Sequence, residues 1–156
     1  MVEVGAEAPS VPFTGLDGTS ASVPELLVSG PVALAFFKVS CPVCQLAFPY
    51  LERIHESGKG VKLIGVSQDD ASSTRQFLDR FSITFPTRLD LRDTGYTASN
   101  AFGITHVPSV FVIEPGGHVS HSWSGFSKKD MEDLAARAGM AKLFQSHEYV
   151  PDFKAG

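Results

Sequence analysis

The run Pro31-Val32-Ala33-Leu34-Ala35-Phe36-Phe37 is followed, after Lys38-Val39-Ser40, by Cys41-Pro42-Val43-Cys44. An unbroken apolar run of this length predicts a strand buried on both faces. From Cys41 the period changes. Cys44, Ala47, Phe48, Leu51, Ile54 and His55 recur at helical spacing, so an amphipathic helix extends to about Ser57. Ser57-Gly58 and Gly60 end it. A buried strand therefore delivers the chain to the start of a helix, and both cysteines sit in that first turn.

The rest of the chain alternates in the same way. Val61–Val66 reads as the next strand, and residues 71–82 as a helix with Thr74, Phe77, Leu78 and Phe81 inward and Asp70 as its N-cap. A short strand is expected over Phe85–Leu89 and a helix over Thr97–Phe102. Val107–Ile113 reads as a strand, Pro115-Gly116-Gly117 as a hairpin turn, and His118–Trp123 as the antiparallel return. Ser127-x-x-Asp130 caps a last helix whose inward face is Met131, Leu134, Ala135 and Ala138. Residues 1–24, rich in Pro, Gly and Ser with a turn at Leu16-Asp17-Gly18, form a loose hairpin, followed by a helical turn near Pro24–Leu27. This order predicts an α/β fold: a mixed central sheet, helices on both faces, and an N-terminal β-hairpin extension. One domain is expected over residues 1–140, with an irregular tail over 141–156.

Composition narrows the function. The chain has 156 residues, 43% of them apolar, and a formal net charge of −4. That suits one domain and is too apolar for disorder. An acidic chain without a Lys/Arg run is not expected to bind nucleic acid. No apolar run approaches the roughly 18 residues of a membrane span. Met1–Glu7 carries no basic, apolar leader pattern, so a cytoplasmic location is expected. A monomer or weak dimer is expected.

Only two cysteines are present. A disulfide scaffold would use more, and a zinc site needs four ligands. His118 and His121, three apart on a strand, would face opposite sides, so no metal site is expected. A lone C-x-x-C in an alternating α/β chain reads as a redox motif. Disulfide exchange needs an exposed thiolate and a second thiol to resolve the mixed disulfide. A helix N-terminus offers unpaired N–H groups and partial positive charge to a thiolate. Cys41 is therefore assigned as nucleophile and Cys44, on the apolar stripe, as the buried resolving thiol. Pro42 suits the first helical turn, where its missing N–H costs nothing. No cofactor is required, because the two sulfurs carry the electrons. A pair of inert core cysteines is the plain alternative.

At this point the chain resembles the thioredoxin superfamily, and within it the redoxin branch of alkyl hydroperoxide reductase/thiol-specific antioxidant (AhpC/TSA) and TlpA-like proteins. The resemblance rests on the strand leading into Cys41-Pro42-Val43-Cys44, on Pro49 inside the helix, on Gly103-Ile104-Thr105-His106-Val107-Pro108-Ser109, and on the final Gly-Gly hairpin. It implies a thioredoxin-like three-layer fold and a cis peptide bond before Pro108. By resemblance, Pro108 packs against the cysteine pair and Val107 offers its backbone to a substrate strand. Pro42, Val43 and His106 then lie on the rim as substrate-binding residues. The implied partners are a disulfide-containing protein substrate and a thiol reductant or oxidant.

The family holds two chemistries. Peroxiredoxins carry Pro-x-x-x-Thr-x-x-Cys and a supporting Arg. Here the Thr place holds Lys38, the Pro place Leu34, and the Arg place Pro108. The peroxidase groups are missing, and thiol–disulfide oxidoreductase is the expected activity. The buried acids of thioredoxins and of cytochrome-maturation relatives are missing too, replaced by Ala35 and Ala47. Two other readings stay open: a peroxiredoxin-like thiol peroxidase using the same pair, and a non-catalytic binding module using the Val107-Pro108 edge.

Overall fold

The computed structural model describes residues 1–156. Its strands are β1 (Pro12–Gly15), β2 (Ser20–Ser22), β3 (Val32–Phe37), β4 (Lys62–Ser67), β5 (Thr87–Leu89), β6 (Ser109–Ile113), β7 (Val119–Ser124), β8 (Phe126–Ser127) and β9 (Phe153–Lys154). The helices are α1 (Val23–Leu26), α2 (Pro42–Ser57), α3 (Ala71–Arg80), α4 (Thr97–Ala101) and α5 (Lys128–Arg137). The first seven strands form one sheet in the order β2-β1-β5-β4-β3-β6-β7. β3, β4 and β5 run parallel, while β6, β7, β1 and β2 pair antiparallel.

The reason for the apolar run of β3 is its central place. Ala33, Ala35 and Phe37 face a core shared with α2, α3 and α5. Val32, Leu34 and Phe36 face a second core shared with α1 and α4. Both faces are covered, so no polar alternation survives. The helices also match their stripes. Cys44, Ala47, Phe48, Leu51 and Ile54 are buried on α2, and Met131, Leu134 and Ala135 on α5. Pro49 lies inside α2, which runs unbroken across it. Asp70 caps α3 by accepting from the Ser73 N–H at 2.7 Å, and Ser127 caps α5 by accepting from the Asp130 N–H at 3.3 Å.

Three boundaries differ from the sequence reading. The strand expected from Val107 begins at Ser109, because Pro108 has no N–H to give a ladder. The N-terminal hairpin is not a loose extension: β1 pairs with β5 and makes β1–β2 the outer edge of the main sheet. The tail over 141–156 is not irregular throughout. Leu143 and Phe144 enter the first core, and β9 pairs with β8 in a separate two-stranded sheet.

Candidate active site

β3 and α2 bring Cys41 to the helix N-cap, at the carboxyl end of the sheet's central strand. Its extended backbone (φ −80°, ψ 116°) turns the chain into the helix, and Pro42 occupies the first helical position. The Cys44 N–H points at the Cys41 Sγ at 3.4 Å, as an orphan N–H of the first turn should. The two thiols are unbridged. Cys41 is half-buried, whereas Cys44 is fully enclosed. Burial pushes the Cys44 thiol far above its ordinary range, and the charges of Cys41 and Asp69 push it the same way. The pair thus holds one reachable sulfur and one kept protonated.

The other side of the site is a loop far along the chain. The Val107–Pro108 peptide bond is cis. Pro108 is buried, and its carbonyl accepts from the Gly125 N–H at 2.8 Å. The Ser109 hydroxyl donates to the His106 carbonyl at 2.7 Å. These bonds hold the Val107 carbonyl 3.4 Å from the Cys41 Sγ, which donates to it. Cys41, Cys44, Val107 and Pro108 are therefore assembled at one point. Pro42 is exposed and Val43 half-buried on the adjoining turn. His106 is exposed on the rim, with its Nδ1 3.0 Å from the Thr105 hydroxyl. Together with Lys38, Tyr96 and Val107 it borders a polar cavity of about 290 Å³.

Sequence reasoning missed Asp69. Ala35 and Ala47, where acids are absent, line the core beside Cys44. Asp69 instead reaches the site from the end of β4. Its Oδ2 accepts from the Val39 N–H at 2.8 Å, and its own N–H donates to the buried Ser67 hydroxyl at 3.1 Å. The signal was in the register: Phe37 pairs with Ser67, so the residues two beyond each, Val39 and Asp69, meet. Glu52 is a second unforeseen buried acid, but it faces elsewhere. It accepts from the Thr84 and Phe85 N–H groups at 2.8 and 3.3 Å and so ties α2 to the approach of β5.

His121 on β7 and Asp130 and Asp133 on α5 lie close together, yet each is engaged within the fold. His121 Nε2 is 2.7 Å from Asp130 Oδ1, and Lys129 pairs with Asp133 at 2.9 Å. No helix is long and apolar enough to cross a membrane.

Known proteins agree with this geometry. The profile of the AhpC/TSA family matches residues 4–122. The thiol-disulfide oxidoreductase ResA of Geobacillus kaustophilus is 30% identical over 135 residues, covering 84% of this chain and 75% of the relative. The ResA of Halalkalibacterium halodurans is 28% identical over 134 residues, 84% of this chain and 74% of its own. In fold, the thioredoxin domain of the thiol-disulfide oxidoreductase BVU-2223 of Bacteroides vulgatus superposes with a TM-score of 0.76 at 19% identity, covering 88% of this chain and 98% of that one. With a thioredoxin fold, a C-x-x-C at the helix start and relatives of this kind, the chain belongs to the AhpC/TSA family and is a thiol–disulfide oxidoreductase.

Proposed function

We propose that Cys41 is the attacking thiol and Cys44 the resolving thiol in exchange with disulfides of protein substrates. The observation that carries this reading is the contrast within one helical turn. Cys41 is reachable and receives an N–H; Cys44 is enclosed and held as a thiol by burial. The Cys41 thiolate attacks one sulfur of the substrate disulfide. The S–S bond breaks, a substrate thiolate leaves, and a Cys41–substrate mixed disulfide forms. Cys44 then gives up its proton, which balances the thiolate already released, and attacks the Cys41 sulfur. The second substrate thiolate leaves, and the Cys41–Cys44 disulfide remains. Two electrons have passed from the pair to the substrate. An external dithiol returns them; with an external oxidant the same steps run backwards.

Pro108 supports the reading as the wall of the pair. Its ring offers no N–H, and the Val107 carbonyl just before it faces the Cys41 sulfur. Val107 is the backbone a substrate strand would pair with. Pro42, Val43 and His106 border that approach. The protein acts as a monomer or weak dimer without nucleic acid, in keeping with its net charge of −4.

Trapping tests the roles. Cys44→Ser should accumulate a mixed disulfide through Cys41 on incubation with a disulfide-bearing protein, seen as a mass shift that dithiothreitol reverses. Accumulation in Cys41→Ser instead would reverse the assignment. Reaction of the reduced protein with hydrogen peroxide, followed by the fluorescence of the buried Trp123, should proceed at the rate of an ordinary thiolate. A far faster rate would make it a peroxidase.

A further inference from the structure

Residues 153–156 lie on the same backbone that the cysteine pair uses. Gly156 lies against the Val107 carbonyl so closely that a Cβ there would collide with it. That carbonyl is the one facing the Cys41 sulfur. Two residues back, the Lys154 carbonyl lies over Gly125, again leaving no room for a Cβ. Gly125 is the residue whose N–H holds Pro108 in place. The segment thus crosses both parts of the cis-proline platform, first Gly125 and then Val107.

Four anchors bring it there. Arg53 on α2 grips Glu148 through two bonds of 2.7 and 2.6 Å. Val150 packs on the first core. The Lys128 N–H donates to the Asp152 carbonyl at 3.0 Å. β9 then pairs with β8, Phe126 opposite Lys154 and Ser127 opposite Phe153. Beyond the anchors the hold is light: residues 152–156 are all exposed, and the paired stretch is two residues long. A short, exposed strand with few buried contacts opens at low free-energy cost.

We propose that residues 153–156 are an intramolecular competitor for the substrate edge, displaced by the extended polypeptide that flanks a substrate disulfide. The inference rests on the exchange reaction assigned to Cys41 and on Val107 as the pairing edge. An incoming strand seeks main-chain bonds at Val107, where Gly156 now sits. It binds only the fraction of molecules whose tail is lifted, so its apparent affinity falls by that fraction. A small disulfide needs only the Cys41 sulfur and makes no strand pairing. The tail therefore slows substrates that must pair along the edge and leaves small disulfides untouched.

The test compares two disulfides on two chains. The reduced full chain and a variant lacking residues 153–156 are each reacted with insulin and with hydroxyethyl disulfide. Deletion should speed insulin reduction about tenfold and change the small disulfide less than about twofold, since only the former needs the covered edge. A peptide of residues 150–156, added to the deletion variant, should slow insulin again. Gly156→Val, which drives the segment off the Val107 carbonyl, serves if the deletion variant loses its thermal transition, and should act in the same direction. Unchanged insulin rates, or equal acceleration of both disulfides, would overturn the proposal. Failure of the full chain to react even with hydroxyethyl disulfide would overturn the exchange reading itself.

Discussion

Residues 31–57 and residues 141–156 reach the same carbonyl by opposite routes. The first segment is dictated by its own pattern. An apolar run makes β3, a change of period makes α2, and Cys41 falls at the junction. The second has no period at all. It is led to Val107 by separate contacts with α2, with the start of α5 and with β8. Local pattern sets where the chemistry is; contacts distant in sequence set who reaches it. Damage to the first segment should remove the reaction or the fold, whereas damage to the exposed end of the second, residues 152–156, should change only selectivity.

The largest effect belongs to the sulfur itself. Cys41→Ser should abolish disulfide exchange with every substrate, large or small, while leaving the thermal transition in place. The expected loss is at least about a thousandfold, since a hydroxyl cannot form the mixed disulfide. Turnover of insulin by Cys41→Ser would place the reacting thiol elsewhere.

Stability should divide the two segments as sharply. Phe48 on α2 is fully buried against Phe37, Phe77 and Phe85, with ring centroids 4.4, 5.6 and 5.5 Å away. Phe48→Ala should cost roughly 3–5 kcal/mol in chemical denaturation. Tyr149 in the tail is 96% exposed, and Tyr149→Ala should stay within about 0.5 kcal/mol of the parent. Similar losses at both positions would mean that Tyr149 is held against the core after all.

Acid should act on the tail anchor next. Arg53 holds the Glu148 carboxylate at about 2, below the ordinary 4.5. A carboxylate depressed in the folded state stabilises it above the ordinary value and stops doing so as pH falls through the folded value. The anchor is therefore intact above about pH 4.5 and lost toward pH 2. Glu114, beside Arg137, is lowered to the same degree by that guanidinium, so global acid unfolding mixes both pairs. Amide exchange at Phe153 and Lys154 separates them. Its protection factor, corrected for the intrinsic pH dependence of exchange, should fall over that window in the parent and already be low at neutral pH in Glu148→Gln.

The same division explains what could be read from the sequence. The element order, the stripes of α2 and α5, the caps at Asp70 and Ser127 and the cysteine pair were all legible, because each is local and periodic. The place of Pro108 came from the resemblance to a family, not from its neighbours. β9 was not legible: Phe153-Lys154 is two residues without alternation, and its partner Phe126-Ser127 is as short. Asp69 was hidden for another reason. An acid after a strand looks like a helix cap, and its neighbour Asp70 is one; only the β3–β4 register shows that Asp69 turns back to Val39.

Asp69 gives the smallest effect and the finest probe of the first segment. Burial is the main cause of the raised Cys44 thiol, and the Asp69 charge adds to it. Asp69→Asn should therefore lower the Cys44 pKa while leaving it above that of a free thiol, because the burial remains. Titration of thiolate absorbance in the Cys41→Ser background reads Cys44 alone. The amide keeps an oxygen for the Val39 N–H, so the loop before Cys41 should stay in place. A Cys44 pKa unchanged by Asn would mean that Asp69 acts only through Val39, as a brace for the cysteine loop. A lowered one would show that a charge from the neighbouring strand helps keep the resolving thiol protonated until Cys41 has reacted.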